Sequence, residues 1–296
     1  MDLALKKRAE TMTNKTSPDI SGYRTLYRLS IYSVVLAWIM LGVYFYVISG
    51  AETSSTEGIV QLFLLPEQHG IKLRTLILLV PLILTAVSYL INDRANLFLK
   101  SITAERQLRF LRDDLIIAFA NALDAKSSWT QGHSQRVTTY ALMIAEKLHV
   151  NEEDRETLRI ASLLHDVGKI GTDDLILDKP GPLTEEELRL VKLHPVKGEE
   201  ILKPIKQLEQ VLPIIKYHHE RMDGTGYPDG LTGNEIPLLA KILCLADSFD
   251  SMIADRPYQP GMSKTDAFGE IRKKTETQFD PAVAKAFLSA MGCAEF

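Results

Sequence analysis

The sequence predicts an all-α protein in which two apolar membrane-crossing helices precede one helical cytoplasmic domain. Three observations carry this reading. The first third holds two long runs without charge. The remainder shows apolar residues at helical spacing, punctuated by helix start signals, and it contains no convincing alternating strand.

The first run, Leu29 to Ser49, has no charged residue and is about the twenty residues that a helix needs to cross a bilayer. The second, Thr75 to Ile91, is shorter and contains Pro81, which a membrane helix tolerates when neighbours satisfy the freed carbonyl. Lys6, Lys7, Arg8, Lys15, Arg24 and Arg28 precede the first run, and Arg94, Lys100, Arg106, Arg109 and Arg112 follow the second. Cations gather on the cytoplasmic side, so both termini are expected inside. The loop between carries Glu52, Glu57 and Glu67 and faces outward. It is too short to enclose a ligand, and its His69 stands apart from any metal constellation. The resulting division is an N-terminal segment 1–28, spans 29–49 and 75–91, an outer loop 50–74, a helical linker 92–114 and a domain 115–296. The linker, with Leu97, Leu99, Ile102, Leu108 and Leu111 among charges, is a helix that could also pair with a second copy.

Within the domain, helices are expected over Ser134 to Leu148, over Glu152 to Leu164 after an Asn151 cap, and from the Thr184–Glu187 capping box towards His194. Further helices are expected over Leu208 to Glu220 and Leu239 to Ala254, and from Ser263 and Asp280–Pro281 onward, the last pairing a cap with proline at the first position.

The formal net charge of −4 leaves no basic surplus for long nucleic acid. Cys244 and Cys293 form no CxxC, which fits a reduced compartment. The informative residues are histidines. Of seven, five sit in distinctive settings: Gly132-His133-Ser134, Leu164-His165-Asp166, Leu193-His194-Pro195 and Tyr217-His218-His219-Glu220. Asp247 follows on a later helix. One buried histidine is usually a satisfied core residue, but so many spaced imidazoles and carboxylates in a histidine-poor chain are a ligand set for divalent ions. Successive helical residues diverge by about 100°, so His165 can grip one ion while Asp166 bridges to a second.

These residues resemble the HD-GYP family. The match rests on His165-Asp166 with Gly168-Lys169, and on the run His218-His219-Glu220-Arg221-Met222-Asp223-Gly224-Thr225-Gly226-Tyr227-Pro228. It extends from about Leu115 to Gln278 and leaves the membrane region outside. The resemblance implies a helical HD-superfamily bundle that opens cyclic di-GMP to pGpG, and on to GMP, and the two spans with their flanking cations would place that activity at the inner face of a bacterial inner membrane. It further implies two divalent ions, iron or manganese in the first instance and zinc, nickel, cobalt or magnesium otherwise. One would be held by His133, His165, Asp166 and Asp247, and the other by Asp166, His194, His218 and His219. Some members hold a third ion through a glutamate where this chain has Trp129. Lys169 would neutralise a phosphate oxygen, while Arg256, Tyr227 and Gly224 are candidates for substrate or partner contact. Gln259 departs from the basic residue usual after the Asp255–Tyr258 run. Expected partners are cyclic di-GMP, a GGDEF-type synthase, membrane lipid and a second copy of the chain. Two alternatives stand beside this: hydrolysis of another dinucleotide such as cyclic GMP-AMP, and binding without cleavage.

Overall fold

The computed structural model describes residues 20–50, 70–126, 131–179, 181–255 and 260–293, with side chains of 20–24, 26, 44–50 and 70–78 left out. The expected segment 1–28 therefore lies largely outside the described residues, as do most of the loop 50–74, Trp129, Arg256 and Gln259. The described residues form α-helices and short 3-10 turns with no β-strand, as the periodicity predicts.

The chain divides into two units, Met1–Leu108 and Arg109–Phe296. In the first, α1 runs Ile20–Gly50, and α2, Gly70–Asp124, begins there and holds Pro81 in its interior. The Thr85 hydroxyl donates to the Pro81 carbonyl at 2.7 Å, and Trp38 Nε1 lies 3.4 Å from the same hydroxyl. Among the described residues no helix is long and apolar enough to cross a membrane. Many of their apolar side chains face outward nevertheless, Leu36, Met40, Leu82 and Ile83 among them.

In the second unit, α3 (His133–Lys147), α4 (Glu152–Leu164), α5 (Asp174–Leu177), α6 (Glu185–Val191), α7 (His194–Leu202) and α8 (Leu212–Tyr217) follow one another. They lead to the long central α9 (Leu238–Ile253), then α10 (Lys264–Lys273) and α11 (Pro281–Ala290). The starts come where the caps predict. Asn151 accepts from the Asp154 amide, Thr184 and Glu187 complete a capping box, and Asp280 accepts from the Ala282 and Val283 amides ahead of Pro281. Two details differ from the periodic reading. The segment from Thr184 breaks after Val191 and restarts at His194 with Pro195 in its first turn. The helix expected over Leu208 to Glu220 is only Leu212–Tyr217, because a short 3-10 turn at Lys206–Leu208 precedes it and the chain leaves helical geometry after His218.

The core lies where α3, α9 and α11 meet. Phe249 is fully buried, with Tyr140 edge-on at 5.0 Å, Phe287 at 4.7 Å and Phe268 stacked at 5.6 Å. This core fixes α9 against α3, and both carry site residues.

One glycine sets a separation that the site needs. A Cβ on Gly168 would fall 1.9 Å from the His194 carbonyl oxygen and 2.7 Å from the Gly198 amide. The turn after His165-Asp166 therefore lies directly on the start of α7. Gly168→Ala is expected to destabilise the domain by about 3 kcal/mol, the upper end of what overpacking costs. Urea unfolding followed by circular dichroism measures this, and an unchanged midpoint would show that the contact relaxes freely.

Candidate metal centre

Helix ends deliver most of the imidazoles. His133 opens α3 behind Gly132, whose φ of 71° turns the chain into the helix. His165 caps the C-terminus of α4, and Asp166 begins the 3-10 turn Val167–Gly171. His194 opens α7, His218 caps α8 with His219 next to it, and Asp247 sits mid-way along α9. All seven expected ligands converge. Their ligand atoms form three overlapping clusters, each within 4.8 Å: His133, His165 and Asp247; His194, His218 and His219; and His165, Asp166 and His218. The two oxygens of Asp166 face different clusters. Oδ2 lies 3.5 Å from His165 Nε2 and 3.9 Å from His133 Nε2, while Oδ1 lies 3.5 Å from His194 Nε2.

Hydrogen bonds fix which ring nitrogen is free. His165, His194 and His218 each place Nδ1 against the carbonyl three residues earlier, Ser162 at 2.7 Å, Val191 at 2.8 Å and Ile215 at 2.6 Å. A carbonyl only accepts, so each Nδ1 carries the proton, and the neutral form of each ring has its lone pair on Nε2. The His194 and His218 Nε2 atoms stand 3.4 Å apart, and the His165 Nε2 is buried with no hydrogen-bond partner among the described residues. Lone pairs facing each other in a buried site repel unless a cation or a hydrogen-bond donor stands among them. The donor set therefore fits a divalent metal, and the ordering of each ligand through its outer nitrogen is what metal-binding histidines require.

The charge balance points the same way. Burial, with neighbouring imidazoles adding to it, holds His218 well below the ordinary histidine range, and burial lowers His194 to about 3 and His219 to about 4. Burial alone would raise Asp166, but the charges around it, the Lys169 ammonium foremost, hold it well below the usual carboxylate range. Asp247 is likewise held ionised against its burial by the His133 hydrogen bond and the charges around it. His133 departs from the others. Burial opposes its charge, but the hydrogen bonds to Asp247 and Asp250 raise it to about 10.

A stability profile follows for the metal-free protein. An unfolded histidine titrates near 6.5, whereas folded His194 and His219 stay neutral down to about 3 and about 4. Between those values the unfolded state binds more protons, so folding stability falls as pH drops. The melting temperature of the metal-free protein is therefore expected to decrease from pH 6.5 to pH 4, and His219→Gln is expected to flatten that slope. A flat wild-type profile over this window would show that the imidazoles are not held neutral.

Lys169 sits at the rim, its ammonium 2.6 Å from Asp166 Oδ2. The loop after His219 closes over the same edge. Tyr227 stacks on the His219 ring at 4.8 Å with planes 28° apart, and the Lys192 ammonium lies 5.4 Å from the Tyr227 centroid. One face of Tyr227 is thus committed to a ligand imidazole. Gly224 occupies a turn with φ of 74° and donates its amide to the Arg221 carbonyl, a backbone role. Arg256 lies outside the described residues.

Three groups of residues that periodicity did not single out hold this arrangement. The buried Glu220 carboxylate accepts from the amides of Asp229, Gly230 and Leu231 at 2.8 to 3.0 Å and pins the loop. Lys126 donates to the carbonyls of Lys169, Ile170 and Thr172 at 2.7 to 3.0 Å. Asp250 receives His133 and Arg136. For the last, the signal was available: His133 and Arg136, like Asp247 and Asp250, are three residues apart and so share a helix face.

Residues 118–283 match the HD domain model, close to the extent of the motifs. Among curated relatives, a Vibrio cholerae protein named 3'3'-cGAMP-specific phosphodiesterase 3 is 41% identical over 177 residues, covering 60% of this chain and 38% of that protein. A Thermotoga maritima protein named cyclic di-GMP phosphodiesterase is 39% identical over 208 residues, covering 68% and 56%. A Xanthomonas campestris cyclic di-GMP phosphodiesterase response regulator is 39% identical over 171 residues, covering 57% and 45%. The chain thus spans about half the length, or less, of these relatives. With the match covering more than half of its residues and the histidine and aspartate clusters in place, the chain belongs to the HD domain family.

Proposed function

We propose that this chain is a metal-dependent phosphodiesterase that opens cyclic di-GMP to pGpG and on to GMP. The observation that carries it is the pair of bare Nε2 atoms, His194 and His218, 3.4 Å apart beside a carboxylate that faces two ligand clusters. The clusters suit two ions, one among His133, His165, Asp166 and Asp247 and one among Asp166, His194, His218 and His219. Imidazole and carboxylate without thiolate favour iron or manganese. When bound, such ions supply positive charge to phosphoryl oxygens and make an attacking water acidic enough to ionise near neutrality. The protein's own part is to hold seven ligands in place, keep the His194, His218 and His219 imidazoles neutral, and place the Lys169 ammonium where a non-bridging phosphate oxygen needs charge. Tyr227, stacked on His219 with the Lys192 ammonium over its ring, stands beside the ligands as a contact for the dinucleotide or for a GGDEF-type partner. The names of the relatives support the substrate class.

A second reading, hydrolysis of 3'3'-cyclic GMP-AMP, is favoured by the name of the Vibrio cholerae relative. Side-by-side turnover of the two dinucleotides by the manganese-loaded chain separates them. A kcat/KM higher for cyclic di-GMP supports the first reading, and the reverse order supports the second.

Membrane anchoring through 29–49 and 75–91 belongs to the same proposal. It rests on the uncharged runs, the flanking cations and the outward apolar side chains of Leu36, Met40, Leu82 and Ile83, which suit lipid better than water. Retention of the chain in the bacterial inner membrane after an alkaline wash supports it, and release into the supernatant contradicts it. Leu111, Leu115 and Phe119, exposed on one face of α2, support self-association.

A further inference from the structure

The two ligand clusters are supported differently. His165, His194 and His218 are each oriented by a neutral backbone carbonyl. His133 instead has its Nδ1 2.8 Å from the Asp250 carboxylate, which has no exposure at all. Asp250 is itself gripped by Arg136, with Nε 2.8 Å from Oδ1 and Nη2 3.0 Å from Oδ2. The Arg136 fork is anchored in turn, because Nη1 donates to the Gln131 carbonyl at 2.9 Å, in the turn that leads into His133. The arrangement is two helical pairs facing each other: His133 and Arg136 on α3, Asp247 and Asp250 on α9. His133 Nε2 meets Asp247 Oδ1 at 3.2 Å on the ligand side, and its Nδ1 meets Asp250 on the far side.

We propose that Asp250, locked by Arg136, is the positioning residue of one metal position only, that of His133, His165 and Asp247, and that it makes the two positions unequal in affinity. This rests on the two-ion reading above. A carboxylate acceptor fixes the ring with Nδ1–H outward and Nε2 inward, and makes Nε2 a stronger donor than a carbonyl acceptor does. The cluster of His194, His218 and His219 has no such carboxylate behind it among the described residues. Nor does Asp250 reach that cluster: its carboxylate is held by His133 and Arg136. An outer carboxylate of this kind is commonly worth about 10- to 100-fold in metal affinity.

The test is a Zn(II) titration of the metal-free full chain against a chromophoric competitor, with metal counted per chain by mass spectrometry. It is run on wild type, Asp250→Asn and Arg136→Gln. Arg136 is partly exposed, so Arg136→Gln keeps the test open if Asp250→Asn fails to fold. The expected result is two binding steps in the wild type, one of them weakened about 10- to 100-fold in each variant while the other is unchanged. Arg136→Lys, which keeps a cation, is expected to recover part of the loss. Both steps unchanged in folded variants would overturn the proposal. Both steps weakened equally, together with a lower melting temperature, would also overturn it by showing a merely structural role. A wild-type chain that takes up fewer than two ions would remove the two-ion reading itself and the proposal with it.

Discussion

Asp166→Asn is expected to lower turnover of cyclic di-GMP by at least about 10³-fold, the scale on which a preorganised electrostatic group contributes, and to reduce metal content below two ions per chain. The side chain keeps its shape but loses its charge and one acceptor oxygen. Asp166 is the only residue whose two oxygens face both clusters among the described residues, 3.5 Å from His165 on one side and 3.5 Å from His194 on the other. Without its charge, the two clusters lose the anionic carboxylate that faces both of them. Mass spectrometry for bound metal, together with chromatography of the products, reads both effects. A retained helical spectrum separates them from misfolding. Full metal content and near-normal turnover in this variant would show that Asp166 bridges nothing.

Lys169→Met is expected to separate the two effects. Turnover falls by about 10²- to 10³-fold while metal content stays at the wild-type value. The ammonium sits at the rim, partly exposed and 2.6 Å from Asp166 Oδ2, where it can leave the carboxylate for an incoming phosphate oxygen. Its role is charge on the substrate rather than ligation, so Lys169→Arg is expected to recover part of the rate. If Lys169→Met instead lost its metal, the lysine would be an organiser of the ligands and its assignment to the phosphate would fail.

The ligand set was legible in the sequence because each imidazole stands at a helix end marked by local chemistry. Gly132 precedes His133, Pro195 follows His194, and the His165-Asp166 and His218-His219 pairs each close a helix. Helix starts at Asn151, Thr184, Ser263 and Asp280 were legible for the same reason: a cap is a local interaction. The break between Val191 and His194 was not, since no glycine marks it and the apolar spacing runs through it. Nor does the sequence mark the 55-residue length of α2, because a helical backbone continues unchanged while the side chains on it switch from apolar to charged. The roles of Glu220, Lys126 and Asp250 depend on partners 9 to 117 residues away in the chain. Their residue types suggest only surface charge, and it is burial among specific donors that gives them function. Tyr227 shows the opposite case: the motif marks it, but only the structure shows that its ring is stacked on His219.

The central claim is that the converging histidines and aspartates hold metal for phosphodiester hydrolysis. The most direct measurement is anaerobic turnover of cyclic di-GMP by the full chain reloaded with Mn(II) or Fe(II), beside the metal-free chain and Asp166→Asn. The account predicts pGpG or GMP from the loaded wild type and essentially none from the other two. A folded, metal-loaded wild type that binds the dinucleotide and releases no product would contradict it, and would leave the chain a receptor for the nucleotide instead of its hydrolase.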